Sequence, residues 1–329
     1  MKEVLISIIV PIYNVESKIN KLLDSLYNIK SKDVEIILVD NNSKDNSFNI
    51  IKNYALKDKR TKIYKEKEKG ANHARYLGFT KSKGKYIYFV DSDDYIESNT
   101  FNKIINIINK NDIDILIGNY NELDSNYNFI KLMHGFGEHN ILLYKPSLWN
   151  KIFKKELIKK ESFIFTDIGE DMYITLNTLI STKNIYFFNK PIYNYVRDNN
   201  SISNKNNYQI LHDSIETLRL LKNKFIKDNV YKKNNEEIDY ILLTHSFYRG
   251  FRATLLNKAE RNKIRKEVLT FTNTINYKKN KYYKKSIVYK LVNILISSKL
   301  LYNLLVTRIF INLLFNNKLF NKILKKIDK

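Results

Sequence analysis

The sequence predicts an α/β fold in which a mostly parallel sheet is flanked by helices and followed by a helical C-terminal extension. Two observations predict it. Over the first 118 residues, short apolar runs alternate with segments of helical periodicity. A polar turn follows three of these runs, and open parallel sheets bind their ligands beyond the carboxyl ends of the strands. We therefore expect a binding site at one edge of the sheet.

Five apolar runs predict strands. They span residues 6–12, 34–39, 61–64, 85–90 and 114–117. After the first run and after the fourth, apolar residues recur at i, i+3, i+4 and i+7, which predicts an amphipathic helix in each place. Those residues are Ile19, Leu22, Leu23 and Leu26, and then Phe101, Ile104, Ile105 and Ile108.

The rest of the chain is predicted to be mainly helical. Residues 120–143 are irregular, whereas residues 148–158, 169–180 and 205–270 have helical patterns. We accordingly divide the chain into a domain of residues 1–205, a helical region of residues 206–280 and a basic amphipathic tail of residues 281–329.

The tail differs from the rest of the chain in composition, because it carries eleven Lys or Arg against a single acid. Near its end, basic and apolar residues fall on separate helical faces. They are Lys318, Lys322, Lys325 and Lys329 on one face and Phe320, Ile323, Leu324 and Ile327 on the other. Such a helix either lies on an anionic membrane surface or packs on the protein with its basic face in solvent. The pattern leaves both interpretations open.

The composition narrows the function classes. The chain has 329 residues, of which 43% are hydrophobic, and no cysteine, which excludes disulfides, thiolate metal sites and a cysteine nucleophile. The formal net charge is +23, but only nine of the 57 basic residues are arginine, so a coding bias explains the excess as well as a polyanionic partner does. No arginine cluster or nucleic-acid-reading module is visible, and we expect no nucleic-acid partner. The N-terminus enters a strand pattern without a cleavage site, which predicts a cytoplasmic protein.

Three carboxylates crowd the turn after the fourth apolar run. In the stretch YFVDSDDYIE they are Asp91, Asp93 and Asp94. Unsolvated like charges repel and raise one another's pKa, and a divalent cation removes that penalty. A few oxygen ligands suit Mg²⁺ or Mn²⁺, which take further ligands from a phosphate. The alternative is a polar turn in which Asp93 or Asp94 caps the next helix.

Two other kinds of phosphate-handling site fit this pattern less well. The sequence has neither a GxxxxGK[ST] loop nor a GxGxxG motif. Phosphotransferases with an aspartyl nucleophile also place Asp-x-Asp at a strand end. They typically continue with Thr or Val, whereas this chain continues with Asp94 and Tyr95, so that alternative ranks second.

Seven short motifs in order carry a family resemblance. They are SIIVPIYN (7–14), VDNNSKDNS (39–47), GANHARYLGF (70–79), GKYIYFVDSDD (84–94), WNKIFKKELI (149–158), GEDMY (169–173) and YNYVRDNNSIS (193–203). In this order and spacing they resemble the inverting glycosyltransferases of family 2. The resemblance implies a Rossmann-like sheet of the GT-A type and covers about residues 4–203.

The resemblance assigns roles to the ends of the first two strands. It implies that Pro11, Tyr13 and Asn14 lie along the nucleotide and that Asp40 and Asn41 contact its base or ribose. The family usually has Asp-Asp-Gly-Ser where this chain has DNNS from residue 40. The amide oxygen of Asn41 accepts a hydrogen bond without charge, which weakens the inference of a preference for UDP.

The resemblance also assigns roles around the carboxylates. Arg75 matches a basic position near the nucleotide. Asp91 would face the ribose or a metal-bound water, and Ser92 would contact the nucleotide sugar. Asp93 would ligate the metal through the diphosphate, with Asp91 as the second metal residue. The metal implied is Mn²⁺ or Mg²⁺.

The GEDMY motif resembles the segment that carries the family's catalytic base. It implies that Asp171 accepts a proton from the acceptor hydroxyl, with Glu170 beside it on the acceptor side. As a helix N-cap, Asp171 would serve both roles, because a helix N-terminus keeps a carboxylate ionised. Trp149 either borders the acceptor or belongs to the core.

The expectation is a metal-dependent inverting glycosyltransferase of the hexosyltransferase type. It would move a sugar from a nucleotide diphosphate, UDP by preference, to a glycan or lipid-linked acceptor in cell-surface polysaccharide biosynthesis, at the inner face of a membrane. The alternatives are the aspartyl phosphotransferase and a non-catalytic basic module that coats membranes or nucleic acid.

Overall fold

The computed structural model describes residues 4–135, 146–165, 169–197 and 207–304. The chain divides into two compact units, Met1–Asn199 and Asn200–Lys329. We call them the first unit and the second unit. All the strands described lie in the first unit.

The strands of the first unit are as follows. They are β1 (Ile6–Ile12), β2 (Val34–Asp40), β3 (Thr61–Lys65), β4 (Tyr86–Phe89), β5 (Tyr95–Ile96), β6 (Ile115–Leu123), β7 (Phe129–Met133), β8 (Lys151–Lys154) and β9 (Ile185–Val196). Its α-helices are α1 (Ile19–Tyr27), α2 (Ser47–Lys57), α3 (Ala71–Lys81), α4 (Ser98–Lys110) and α5 (Glu170–Ser181).

The described strands form one mixed sheet in the order β3-β2-β1-β4-β8-β6-β9-β5, with β7 paired to β6. The first four strands in this order are parallel, as the sequence predicts. β8 pairs antiparallel with both β4 and β6. Consequently β6 and its parallel neighbour β9 run in the same direction as β4. The predicted α/β fold class is confirmed.

The core explains why the predicted elements form. The apolar residues at helical spacing in α1 and α4 are all buried against the sheet, together with the fully buried strands β1 and β2. Strands that are buried on both faces read as continuous apolar runs rather than as alternating ones. That is the pattern from which β1, β2 and β4 were predicted.

A buried polar network ties together the strands at the edge where β1, β2 and β4 begin, which we call the amino edge. Ser7 Oγ donates to Glu35 Oε1 (2.7 Å), and Gly84 N–H donates to Ser7 Oγ (2.8 Å). Lys62 Nζ lies 2.8 Å from Glu35 Oε2. Glu35 is buried, and these partners offset the desolvation of its charge. The network therefore joins three neighbouring strands through side chains as well as through the sheet.

The helix predicted for residues 148–158 is wrong. This segment contains β8, followed by a 3₁₀ turn at Lys155–Leu157. Lys151 is fully buried in β8, and its ammonium donates to Ser147 O (2.8 Å) and Asn150 Oδ1 (2.7 Å). The helical pattern would have placed this lysine in solvent. Residues 120–133, predicted to be irregular, contain the end of β6 and β7.

The described part of the second unit is helical, as predicted. Its helices are α6 (Tyr208–Lys227), α7 (Tyr231–Arg252), α8 (Lys258–Thr272), α9 (Lys281–Lys285), α10 (Ile287–Ser297) and α11 (Lys299–Leu304). Helices α6, α7 and α8 pack against one another, and the predicted apolar face of α6, Ile215, Leu218 and Leu221, is buried. Of the helices described, none is both long and apolar enough to cross a bilayer. The amphipathic pattern at residues 318–329 lies outside the described residues.

Candidate active site

β1, β2 and β4 end side by side, because all three run in the same direction. We call the edge at which they end the carboxyl edge. Ile12 lies opposite Asp40 in the register, and Ile9 lies opposite Phe89. Neighbouring strands are about 4.8 Å apart, and β2 and β4 flank β1, so their ends are about 10 Å apart. The three polar turns therefore share one edge, as predicted.

The loops after β1 and β2 are joined to each other. Lys44 N–H donates to Asn14 Oδ1 (2.7 Å), and Asn14 N–H donates to Ser43 Oγ (3.2 Å). Tyr13 is 47% exposed next to this junction, whereas Pro11 is buried in β1. Of the three residues assigned to the nucleotide along β1, Tyr13 and Asn14 thus lie at the surface of the carboxyl edge.

Asp40 is the last residue of β2 and is only 3% exposed. Its backbone carbonyl accepts a hydrogen bond from Glu66 N–H (2.8 Å). Its Oδ1 atom is buried and has no hydrogen-bond partner among the residues that the structure describes. A buried polar atom without a partner costs about 1–3 kcal/mol. Such an atom at the carboxyl edge is suited to accept a hydrogen bond from a ligand.

Asn41 behaves differently although it is the next residue. Its Nδ2 donates to Glu68 O (2.6 Å) and Glu66 O (3.3 Å), and its Oδ1 accepts from Gly70 N–H (2.8 Å). The side chain is 4% exposed. Gly70 has a φ of 130°, which favours glycine, and immediately precedes α3. Asn41 therefore connects the end of β2 to the start of α3.

Arg75 lies in the second turn of α3 and is buried. Its Nη2 donates to Asp91 Oδ1 at 2.8 Å, and the two groups form an ion pair. The Asp91 side chain keeps 31% of its surface exposed. The ion pair fixes the carboxylate turn after β4 to α3.

The three carboxylates of this turn have different environments. Asp94 is buried: it accepts from Tyr193 Oη at Oδ2 and from Val196 N–H at Oδ1, both at 2.7 Å. Burial, and then repulsion by Asp93 and Asp91, raise the pKa of Asp94 well above its ordinary value. Asp91 and Asp93 are half-buried.

Tyr193 holds both ends of this turn to β9. Its hydroxyl donates to Asp94 and accepts from Asp91 N–H at 3.2 Å. Asp94 therefore fixes the turn. The alternative, in which Asp93 or Asp94 caps the next helix, is wrong. That helix, α4, has Glu97 as its N-cap residue, without a side-chain cap bond.

The donor groups of this turn determine whether it can hold a divalent cation. Within the described residues, no three Asp, Glu or His side chains converge as a complete metal site. Asp91 and Asp93 supply carboxylate oxygens from the half-exposed side of the turn. One or two carboxylates with the remaining ligands from phosphate is the usual arrangement for Mg²⁺. The residues present therefore fit Mg²⁺ or Mn²⁺ held jointly with a diphosphate.

Asp171 is the second residue of α5, and Met172 N–H donates to its Oδ1 (2.8 Å). Gly169, with a φ of 83°, is the N-cap residue, so Asp171 lies in the first turn but is not the cap. Its position places a carboxylate at the positive end of the helix dipole, as expected.

The topology directs the first turn of α5 toward the carboxyl edge. α5 leads directly into β9, which runs parallel to β4, so the end of α5 lies at the amino edge. The segment before α5 touches the start of α3, because Asn72 Nδ2 donates to Ile164 O and the ring of His73 stacks on Phe165 at 4.2 Å. Four peptide units separate Phe165 from Gly169, a span of at most about 15 Å.

Three predicted site residues remain, namely Trp149, Ser92 and Glu170. Trp149 is 7% exposed and stacks on Tyr193 (4.8 Å between centroids) and Tyr195 (5.5 Å) within the core. The structure thus favours the core alternative over an acceptor contact. Ser92 is buried in the carboxylate turn. Glu170 is the first residue of α5, and its side chain lies outside the described part of the chain.

Two residues of this edge are not predicted from the sequence. Tyr193 lies within a quoted motif, but nothing in the sequence pairs it with Asp94, about a hundred residues away. Asn72, also within a quoted motif, is buried, and its Oδ1 has no hydrogen-bond partner among the described residues. No pattern in the sequence marked Asn72, because its burial depends on the packing of α3.

The family model described as glycosyl transferase family 2 matches residues 7–172, half of the chain, and includes the carboxyl edge and Asp171. The chain belongs to glycosyl transferase family 2. The predicted resemblance is therefore confirmed. Over 209 residues it is 30% identical to glycosyltransferase GlyA of Streptococcus pneumoniae, covering 58% of this chain and 30% of GlyA. Over 196 residues it is 30% identical to the poly(ribitol-phosphate) beta-N-acetylglucosaminyltransferase TarP of Staphylococcus aureus, covering 54% of this chain and 58% of TarP.

Solved structures of glycosyltransferases show the same fold. S. aureus TarS superposes with a TM-score of 0.63 at 20% identity, over 89% of this chain and 54% of TarS. TarS 1–349 in complex with UDP-GlcNAc has a TM-score of 0.55 at 20% identity, over 82% of this chain and 91% of that one. A mannosyltransferase from Pyrobaculum calidifontis in complex with GDP-Man and Mn²⁺ has a TM-score of 0.53 at 15% identity, over 92% and 88%. The chain thus has the GT-A fold.

Proposed function

We propose that the protein is a metal-dependent, inverting glycosyltransferase of the hexosyltransferase type, which transfers a sugar from a nucleotide diphosphate to a glycan or lipid-linked acceptor. One observation carries the proposal. The buried Asp40 oxygen without a partner lies at the end of β2, about 10 Å from the end of β4. That is about the span between the base of a nucleotide and its diphosphate, and Asp91 and Asp93 follow β4.

The donor is a nucleotide-diphospho-sugar, with UDP preferred. Asp40 accepts a hydrogen bond from the base, while Tyr13, Asn14, Pro11 and Ser92 lie along the nucleotide. The complexes of TarS with UDP-GlcNAc and of the mannosyltransferase with GDP-Man support a nucleotide sugar as the donor class.

Asp91 and Asp93 would hold the Mg²⁺ or Mn²⁺ ion. When bound, the ion neutralises the charge that develops on the leaving diphosphate. Arg75 keeps the Asp91 carboxylate in place through their ion pair. The Mn²⁺ in the mannosyltransferase complex supports this assignment.

Asp171 is the general base of the proposed reaction. The acceptor hydroxyl gives its proton to the Asp171 carboxylate as its oxygen forms a bond to the anomeric carbon. The bond from that carbon to the diphosphate breaks, and the nucleoside diphosphate leaves with the electron pair. Attack from the face opposite the nucleotide inverts the configuration. The name of TarP describes a β-linked product, which inversion of an α-linked nucleotide sugar yields.

The acceptor is a cell-surface polysaccharide or its lipid-linked precursor, which TarP's poly(ribitol-phosphate) acceptor supports as a class. We assign this activity to residues 1–205, with residues 206–280 as a helical region and residues 281–329 as a basic tail. The tail touches the anionic inner face of a membrane. Between residues 281 and 304 there are five lysines and no acid, and Leu291, Ile294 and Leu300 are 46%, 54% and 72% exposed.

A thermal-shift screen of UDP- and GDP-sugars, each with and without Mn²⁺, tests the donor and the metal, because a ligand stabilises the native state according to its affinity. We expect a UDP-sugar with Mn²⁺ to give the largest shift. Asp171→Asn should keep that shift and lose transfer to an acceptor. If no nucleotide sugar raises the melting temperature, the proposal is wrong. If Asp171→Asn loses both properties, the carboxylate has a structural role.

A further inference from the structure

We propose that Asn41 is a positioning residue, which locks the loop of residues 66–70 and the start of α3, and that it leaves the recognition of the donor base to Asp40. The first half stands on hydrogen bonds within the protein. The second half rests on the proposed function, because it requires a nucleotide donor.

The partners of Asn41 account for an amide in this chain, at a position where the family usually has Asp. Two of its three side-chain partners are carbonyl oxygens, of Glu66 and Glu68, and both need a donor. The third, Gly70 N–H, needs an acceptor. An amide supplies both, whereas an ionised carboxylate only accepts. With 4% of its surface exposed, the side chain has little area left for a base.

The lock acts on the site through α3. Gly70 immediately precedes this helix, and its left-handed φ requires the loop to enter at a fixed angle. Arg75, five residues later, holds Asp91. Asn41 therefore fixes the position of a helix that in turn fixes the carboxylate turn.

Asp40 is left as the carboxylate that can read the base. Its Oδ1 is buried without a partner among the described residues, so the ligand-free protein bears an uncompensated polar atom there. Uracil and guanine present a ring N–H to such an acceptor, and neutral cytosine does not. We expect UDP to bind at least tenfold more tightly than CDP, and Asp40→Asn to reduce that ratio without lowering the melting temperature of the ligand-free protein.

Asn41→Asp tests the lock, and Asn42→Asp is its matched control. Asn42 is exposed, has a φ of 62°, and its Oδ1 accepts from Lys44 Nζ, so aspartate there adds the same charge without breaking the lock. At pH 7.5 we expect Asn41→Asp to lower the melting temperature by about 5 °C or more and to weaken UDP binding at least tenfold. Asn42→Asp should stay close to the wild type in both measurements.

The pH dependence separates a lost donor from a general defect. Burial against two carbonyl oxygens raises the pKa of an aspartate introduced at position 41, so the folded state of that variant holds its proton to higher pH than the unfolded state. Its stability therefore falls as the pH rises through that raised pKa. We expect the deficit against the wild type to shrink as the pH is lowered from 7.5 to 5.

The outcomes distinguish the two halves of the proposal. If Asn41→Asp melts like Asn42→Asp and binds UDP as tightly as the wild type or more tightly, Asn41 contacts the base and the lock is wrong. An unchanged ratio of UDP to CDP affinity in Asp40→Asn overturns the base-reading role. If the wild type binds no nucleotide while the melting and pH results are as expected, the proposed function fails and the lock stands.

Discussion

The two units of the chain differ sharply in charge. The first unit has 30 Lys and Arg against 25 Asp and Glu, a net charge of +5, whereas the second has 27 against nine, a net charge of +18. A coding bias toward lysine acts on both units, whereas the acidic residues are divided unevenly between them. Acidic residues make up about one residue in eight of the first unit and one in fourteen of the second. Most of the excess positive charge therefore belongs to the second unit. The first unit keeps its acids, several of them at the carboxyl edge.

The largest expected effect tests whether the first unit holds the chemistry. Asp93→Ala should lower Mn²⁺-dependent turnover by roughly 10² to 10³ or more, because charge on the leaving group loses its stabilisation. Its free energy of unfolding should stay near that of the wild type, since the residue is half-exposed. Turnover and urea unfolding measure the two quantities. Unchanged turnover would contradict the metal assignment.

Asp94→Ala is the matched comparison on the same turn. It leaves two buried donors, Tyr193 Oη and Val196 N–H, without their acceptor. We expect a loss of about 2–4 kcal/mol in the free energy of unfolding together with lost turnover. If the Asp94→Ala variant is as stable as the wild type, the Asp94 carboxylate does not hold the turn to β9.

The second effect tests the charge of the second unit. Changing Lys284, Lys285, Lys290 and Lys299 to Gln should lower binding to anionic vesicles at least tenfold, since each lysine near the surface contributes about 1 kcal/mol. Transfer to a soluble acceptor should be unaffected. Sedimentation with phosphatidylserine vesicles measures the binding.

The matched control removes the same charge from the first unit, by changing the exposed Lys52, Lys59, Lys103 and Lys110 to Gln. It should bind vesicles like the wild type. Equal losses in both variants would mean that net charge alone attracts the membrane. No binding by the wild type would leave the packed-helix interpretation of the tail.

The third effect concerns a core residue of the first unit. Trp149→Phe should lower the free energy of unfolding by about 1–2 kcal/mol, because a smaller ring leaves part of the stack on Tyr193 and Tyr195 unfilled. The KM for the acceptor should stay within twofold of the wild type. A rise in that KM with no loss of stability would instead support an acceptor contact.

The smallest expected effect on stability comes from an ion pair in the second unit. His212 Nδ1 lies 3.0 Å from Glu267 Oε2, and this hydrogen bond raises the pKa of His212 above its ordinary value. The pair therefore stabilises the fold below about pH 6.5, and the stabilisation is lost as the pH rises through the raised pKa. The groups are partly exposed, so we expect only a few tenths of a kcal/mol. Urea unfolding of Glu267→Gln and the wild type at pH 5.5 and 8.5 measures it, and an equal difference at both pH values would contradict it.

The sequence predicted the first half of the sheet well and the second half poorly, for a physical reason. β1, β2 and β4 are buried on both faces, so each reads as an apolar run without reference to distant residues. β8 is short and carries a buried lysine, whose partners at Ser147 and Asn150 depend on the tertiary structure. Its local pattern therefore resembled a helix.

The candidate site shows the same limit. The carboxylates and the polar turns were predictable, because a charge after an apolar run is visible in the sequence. The different environments of Asp91, Asp93 and Asp94 were not, because they depend on Arg75 and Tyr193. Asn41 was assigned to the nucleotide by its place in a motif, and only its hydrogen bonds indicate a different role.

The buried network of Ser7, Glu35 and Gly84 has a consequence for motion. It pins the strands at the end remote from the turns, so thermal opening is confined to the loops that follow β1, β2 and β4. Backbone amides near Ser7 and Glu35 should exchange with deuterated water only on global unfolding, whereas those of residues 42–47 should exchange through local opening. The rate at which the nucleoside diphosphate is released would then depend on the opening of these loops, while the sheet beneath them stays rigid.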